Sequence, residues 1–579
     1  MPVILSVARA RTIVPDRLYW LLFALIVVAA VSFRAFWTYA LQVPFTNEDS
    51  QSYLQPAILD WPFLFSEFRT MGTPLLNFVS LAVFQHPAGI LVTHNLTAVG
   101  SSILLALAIR GVLRQNLLSL AVLFVTAFTA KDIAVEYHLI SEHDARALYI
   151  VYAALMPWIA QNPSRYGLAA LLGLVVALNV MVKPDAIVLV VATLMAFGVL
   201  CWVSRDARAK TAAAAAVFLV ASVVPLLGNM AAFKVRYGTF GLSHYEGTNQ
   251  FSHVGHLTVL DGGKYPELKA RLRPLLEGYV EKYARHGIYF PNWLIYGTAT
   301  ADLARDFGDQ SPHRVIDEYV KARDGTSNFK SRNEIHRDLA VEAMLAHPIP
   351  YAKYAAERAV GLWSGGYTFA LYDDVPKAEA LKTRHPADRT GLRVWLYRAF
   401  GQDPPPCAAG EVAPARASGV PAAVFRGPLG SCAALPYSDP AVIAVAADLD
   451  AVYDRLVTPL AAVYPVLPKA GALAAVAAAG LLIWLGGRRV RALLGFGALL
   501  VLVLFGYSAL HGIINVASPV RMTANVQDYV IVASLTFMVG LVLGAQRVLR
   551  WILISRAGAR AHQALAARSY QKVDLGKSG

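Results

Sequence analysis

Residues 18–39 read LYWLLFALIVVAAVSFRAFWTY. Coiled as a helix, the run is long enough for a hydrocarbon core of about 30 Å, which takes about 20 mostly apolar residues. It is too long for a cleaved leader, and it ends in Trp37 and Tyr39, an aromatic belt rather than a cleavage site. Similar runs follow at 87–109, 115–131, 146–161, 167–183, 185–204, 211–234, 467–486, 492–514 and 528–547. The expected fold is a polytopic α-helical membrane protein with about ten transmembrane helices.

Composition agrees with this reading. The 579 residues are 56% hydrophobic and 16% charged, against roughly 25% charged in a soluble protein. This excludes a disordered chain, a collagen-like rod and a small disulfide scaffold. The net charge is +14, and the placement of the basic residues explains it. With Arg9, Arg11 and Arg17 in the cytoplasm, alternating spans put Arg110, Arg114, Arg165, Arg205, Arg208, Lys210, Arg488, Arg489 and Arg491 on the same side. The tail from 548 to 579 adds Arg550, Arg556, Arg560, Arg568, Lys572 and Lys577. Every short inner segment is then basic, as the positive-inside rule requires. The basic balance is topological, which removes the main argument for a nucleic-acid partner; the lipid bilayer is the partner it implies.

The domain plan is a transmembrane module at 1–234, a large outer segment at 235–466, C-terminal transmembrane helices at 467–547 and a basic cytoplasmic tail at 548–579. The module has outer loops at about 40–86 and 131–146. The outer segment is dense in charge and aromatic residues, and it reads as a mixed folded domain with helices such as 267–285 and 331–346. A Pro-, Ala- and Gly-rich stretch at about 403–440 reads as a linker. With both termini cytoplasmic, the large domain is periplasmic. Cys201 falls in a span and reads as inert filling. Cys407 and Cys432 share the outer segment, where an oxidising compartment favours a disulfide; two unrelated buried thiols are the alternative.

Four polar clusters flank the spans, where such groups are costly and informative. Asn47-Glu48-Asp49-Ser50 follows the first span; its paired carboxylates suit a base or a cation, though taken alone the cluster reads more simply as a solvated loop start with an N-cap. Glu67 and Arg69 follow an apolar stretch, Trp61-Pro62-Phe63-Leu64-Phe65, of the kind that lies in a membrane interface. The second cluster holds Glu136, His138, Glu142, His143 and Asp144 in a short outer loop. It matches no standard zinc spacing, though carboxylates there could take a hard divalent cation; a hydrated turn is the plain alternative. The third, Lys183-Pro184-Asp185, offers a point charge for a phosphate or an internal pair. The fourth is His511 with Pro519-Val520-Arg521-Met522, an outer arginine that runs against the topological bias.

The order and sidedness of these clusters resemble the GT-C superfamily of membrane glycosyltransferases that use polyprenyl-phosphate sugars. Its members include the aminoarabinose transferase of lipid A, the rhizobial galacturonosyltransferases and the protein O-mannosyltransferases. The likeness covers about residues 18–234. Asp49 or Glu48 stands where that family has its catalytic acid. Glu136-Tyr137-His138-Leu139-Ile140-Ser141-Glu142 looks like the family's acidic pattern entering the fourth span, and Lys183-Pro184 replaces a frequent Arg-Pro pair. Pro519-Val520-Arg521-Met522 looks like a weakened late arginine pattern, with Met522 in place of a tyrosine.

The resemblance implies a seven-helix GT-C-like module with a large periplasmic domain, in a bacterial inner membrane. It implies an inverting glycosyltransferase that moves a sugar from a polyprenyl-phosphate donor to an envelope acceptor: lipopolysaccharide, another glycolipid, a polysaccharide or a protein. Asp49 or Glu48 would be the base. Glu136, Glu142, His143 and Asp144 would orient acceptor or donor, and Lys183, Arg521 and Arg69 would meet the lipid phosphate. No cofactor and no metal are expected, the divalent cation at 136–144 being the less favoured option. A lipid-linked sugar flippase or transporter, and a polymerase or ligase using a diphosphate lipid, are the alternatives.

Overall fold

The computed structural model describes residues 14–41, 44–45, 50–59, 64, 66–67, 69–86, 88–129, 133, 136–162, 164–203, 207–285, 311–352, 440–463, 495–506 and 531–543, with a few single positions beyond 470. These residues are mostly helical, and no strand occurs among them. By internal contacts the chain divides into two units, Met1–Val463 with Leu502–Asp528, and Tyr464–Val501 with Tyr529–Gly579.

The helices of the first unit are α1 (Asp16–Leu41), α2 (Ser50–Leu59), α3 (Gly72–Phe84), α4 (Ala88–Ala108), α5 (Asn116–Phe128), α6 (Ser141–Gln161) and α7 (Tyr166–Val182). Then come α8 (Val188–Val203), α9 (Arg208–Tyr237), α10 (Glu246–Val254), α11 (Pro266–Arg285), α12 (Pro312–Asp324), α13 (Phe329–Ala346) and α14 (Pro440–Val463). A π turn, Ile109–Leu113, extends α4, and a 3-10 turn, Pro184–Ile187, leads into α8.

Four of these helical stretches are long and apolar enough to cross a membrane: Asp16–Leu41, Ala88–Leu113, Pro184–Trp202 and Arg208–Tyr237. α5 and α7 are apolar but shorter, as are Gly495–Gly506 and Ile531–Leu543. At 1.5 Å per residue, a 13-residue helix such as α5 reaches only about 20 Å. The long helices keep large apolar side chains on their uncovered faces: Leu21, Leu25 and Val28 on α1, Met195, Val199 and Trp202 on α8, and Val220 and Val224 on α9. Faces apolar on both the packed and the open side are compatible with a helical protein in a bilayer.

Two elements differ from the sequence expectation. α3 lies within the expected first outer loop, as an apolar helix the hydropathy runs did not separate. α6 begins at Ser141, five residues before the expected span, so that Glu142 and Asp144 form its first turn. Carboxylates are favoured there because the helix dipole places positive potential at the N-terminus. The run 136–144 is therefore part loop and part helix, and Ser141, Glu142, His143 and Asp144 are all buried.

α7 and α9 pack closely through small residues. An added Cβ at Gly173 would come 2.5 Å from the Phe218 carbonyl oxygen and 2.8 Å from Ala221 Cβ. Backbones this near admit no methyl group, which is how helices without a water-driven force between them gain dispersion contact. Gly173→Ala is expected to destabilise the protein by about 1–3 kcal/mol, the usual cost of overpacking. The thermal midpoint in detergent, compared with that of Gly167→Ala where the space is open, measures it.

α10 to α13 form a helical layer with a core of its own, including Phe251, Leu268, Leu272, Ile316, Val320, Ile335 and Leu339. The helices expected at 267–285 and 331–346 correspond to α11 and α13. Asn333 on α13 caps α10 from outside, its side-chain oxygen accepting from the Gly247 and Thr248 backbone N–H groups. An added Cβ at Gly247 would strike the Asn333 carbonyl, so glycine is required by the close approach.

A polar line runs through this layer. Ser252 donates its hydroxyl to the Thr248 carbonyl, so at its 2.9 Å contact with His313 Nε2 the ring is the donor. His313 Nδ1 meets His336 Nε2 at 2.9 Å; His336 also bonds the Arg332 backbone, and its Nδ1 faces the Thr248 hydroxyl at 3.3 Å. Burial and then the Arg332 charge hold His313 down at about 4. Burial, His313 and Arg332 hold His336 well below the ordinary histidine value. The unfolded chain therefore binds more protons than the folded layer. Stability is full above about pH 6.5 and falls as pH drops from there toward 4. Hydrogen exchange at pH 7 and pH 5 is expected to show lost protection in α10, α12 and α13, and the loss should shrink in His313→Gln. Equal protection in both proteins at both pH values would refute the assignment.

Candidate functional site

The site is built where sequence-distant segments meet at one end of the first helices. Phe45, after α1, pairs with the stretch before α6: its N–H donates to the Tyr137 carbonyl, and its own carbonyl accepts from Leu139 N–H. Ser50, the first residue of α2, donates its hydroxyl to the Leu139 carbonyl at 2.8 Å. Tyr53, one turn later, bonds the Ser141 hydroxyl at 2.9 Å. The first loop is thus tied to the second on both sides of residues 46–49.

Beneath the joint lies a buried charge cluster. Arg34, within α1, grips Glu136 with two hydrogen bonds of 2.8 and 2.9 Å. Arg146 reaches the same carboxylate at 3.5 Å and donates to the Thr126 carbonyl. All three side chains are withdrawn from solvent. A carboxylate held by two guanidinium groups is a brace, with little freedom to turn toward a ligand.

Next to it, Glu142 pairs with Lys183 at 3.1 Å, both about one-tenth exposed. Lys183 stands between α7 and the 3-10 turn, in extended conformation, because Pro184 cannot continue a helix and pushes its predecessor out of the helical region. Arg69 donates to the Ser52 hydroxyl at 2.7 Å. Its guanidinium lies over the Tyr53 ring, 4.5 Å from the centroid.

Against the other side of α6, His94 of α4 stacks on His143 with ring centroids 4.2 Å apart. His94 Nε2 is 3.9 Å from an Asp144 oxygen. His94, His143 and Asp144 are the three described residues whose ligand atoms gather closely enough to hold a metal ion.

Of the residues picked from the sequence, Glu136, Glu142, Asp144, His143, Lys183 and Arg69 are therefore drawn into one neighbourhood, though not all onto one face. Glu48, Asp49 and Arg521 lie outside the described residues, as do Cys407 and Cys432; Cys201 has a free thiol. The sequence reading passed over Arg34, His94 and Arg146. Each had a signal: an ionisable residue inside or at the edge of an apolar run is costly and needs a partner.

Comparison of the chain with family models, curated proteins and solved structures gives no match.

Proposed function

We propose that this protein is a membrane glycosyltransferase of GT-C type, inverting the anomeric centre as it moves a sugar from a polyprenyl phosphate to an acceptor on the outer face of a bacterial inner membrane. One observation carries the reading. The first outer loop, the acidic stretch before α6 and the Lys183 corner, far apart in sequence, are tied together by the Phe45, Ser50, Tyr53 and Glu142–Lys183 contacts. A transferase of this kind needs a base, an orienting carboxylate and a cation within one sugar's reach.

In the proposed reaction, Asp49 takes the proton of an acceptor hydroxyl, with Glu48 as its neighbour. The hydroxyl oxygen bonds to the anomeric carbon as the bond from that carbon to the phosphate oxygen breaks. The lipid phosphate leaves with the electron pair, and one displacement inverts the centre. Lys183 and Arg69 offer charge to the leaving phosphate, with Arg521 as a third source. Glu142 sets the Lys183 ammonium in place. Ten spans, cytoplasmic termini and a periplasmic 235–466 domain that helps select the acceptor complete the proposal.

The test is transfer by the purified protein in nanodiscs, given a panel of labelled polyprenyl-phosphate sugars and envelope extract. Label moving from lipid to a larger product, with inverted linkage, is the expected result. Label that only crosses the bilayer would replace the transferase with a flippase. Transfer from diphosphate lipids alone would replace it with a polymerase or ligase.

A further inference from the structure

The pair of histidines behind Glu142 has a hydrogen-bonding pattern that determines where its lone pairs point. His94 Nδ1 is 2.9 Å from the Glu136 carbonyl oxygen. A carbonyl only accepts, so Nδ1 bears the proton and Nε2 is a bare acceptor. The Thr97 hydroxyl has one proton, and both the Thr93 and His94 carbonyls lie 2.9 Å from it. With that proton on a carbonyl, the hydroxyl accepts at its 2.9 Å contact with His143 Nε2. His143 Nδ1 is then a bare acceptor as well. It is buried and without a hydrogen-bond partner, and so is Asp144 Oδ2.

Acceptor atoms of His94, His143 and Asp144 thus gather in one buried place, with the Thr73 hydroxyl as the donor beside the carboxylate. His94, His143 and Asp144 are at most about one-twentieth exposed, and their ligand atoms all lie within 4.8 Å of one another. Bare acceptors buried together are costly unless a proton or a cation sits between them, and two imidazoles beside a carboxylate are a donor set that a metal ion satisfies. The outer hydrogen bonds, from His94 to a backbone carbonyl and from His143 to a hydroxyl, are of the kind that fix the tautomer and aim of a metal-binding imidazole.

We propose that His94, His143 and Asp144 form a binding site for a divalent transition metal of the zinc class. Two imidazoles and a carboxylate suit such an ion better than magnesium or calcium, which take oxygen ligands. Ligand atoms about 2.0–2.1 Å from a tetrahedral ion are about 3.4 Å apart, so the widest gap would close by about 1.4 Å on binding. The rings are stacked with a tilt of 29°; a turn of one about its Cβ–Cγ bond, a soft rotation for histidine, would bring its nitrogen toward the shared ion. The ion would clamp the first turn of α6 to α4 and thereby hold Glu142 toward Lys183. It would act as a positioning element, outside the reacting atoms. Its binding is independent of the transferase reading.

The experiment is metal binding by the full-length protein in detergent, stripped with chelator and titrated with Zn²⁺ and Co²⁺. The expected result is one equivalent per chain, with the visible absorption of Co²⁺ in a low-coordinate nitrogen and oxygen site. His94→Gln, His143→Gln and Asp144→Asn should each weaken binding about tenfold or more, and Thr97→Val about tenfold through loss of the outer hydrogen bond. Wild-type protein that takes up under about a tenth of an equivalent at micromolar metal would overturn the proposal, whatever the variants do. Full affinity retained in His94→Gln and His143→Gln would also overturn it. Neither outcome bears on sugar transfer, which is read separately with labelled donor.

Discussion

Glu136→Ala is expected to lower stability by about 3–5 kcal/mol, more than any other single substitution considered. The figure is the usual cost of removing one partner from a buried ion pair. The Arg34 and Glu136 side chains are 2% and 0% exposed and joined by two hydrogen bonds, and Arg146 presents a second buried guanidinium 3.5 Å away. Removing the carboxylate leaves two cations facing each other where water cannot enter. Glu136→Gln keeps an acceptor oxygen but loses the charge, so it should fall between alanine and wild type. Replacing Arg34 and Glu136 together by leucine should cost less than Glu136→Ala, because one of the two facing cations leaves with the carboxylate and only the Arg146 charge remains. Thermal or denaturant midpoints in one detergent, with metal-stripped protein throughout, give the comparison. Alanine and glutamine variants as stable as wild type would show that water or lipid headgroups reach the cluster.

Asp49→Asn is expected to slow sugar transfer by about 10²–10⁴-fold, the span that a positioned general base contributes. The expectation rests on the proposed reaction and on the anchoring of the loop to either side. Phe45 is fixed to residues 137–139 by two backbone hydrogen bonds, and Ser50 is fixed to Leu139. A substitution between two such anchors leaves the loop's attachments in place, so the fold and donor binding should persist while turnover falls. Glu48→Gln separates the neighbours: if Glu48 is the base, the larger loss moves to that variant. Equal, small losses in both would remove the carboxylate pair from the reaction. Measuring kcat apart from KM for the donor matters here. Loss in KM alone would mean that the pair binds rather than reacts.

The sequence was most informative about helices and their apolar faces. Residues 18–39 had to be a helix long enough for a membrane, because nothing else satisfies a backbone within so apolar a stretch, and α1 spans Asp16–Leu41. The positions of α4, α7, α8 and α9 follow from the same arithmetic. The 136–144 stretch could be singled out because ionisable groups are rare beside apolar runs. So could Lys183, and the pair it makes with Glu142 answers the cost of each charge.

The tertiary structure decided which charge meets which. Arg34 and Glu136 are separated by 102 residues, and hydropathy averages an arginine into its apolar neighbours. His94 gains its meaning only from packing of α4 against α6, which stacks it on His143; within its own helix it is one polar residue among many. Glu136, chosen from the sequence as an orienting group, is committed to two arginines. That choice of partner belongs to geometry, because a one-dimensional pattern tells which side chains need a partner and only the fold supplies one.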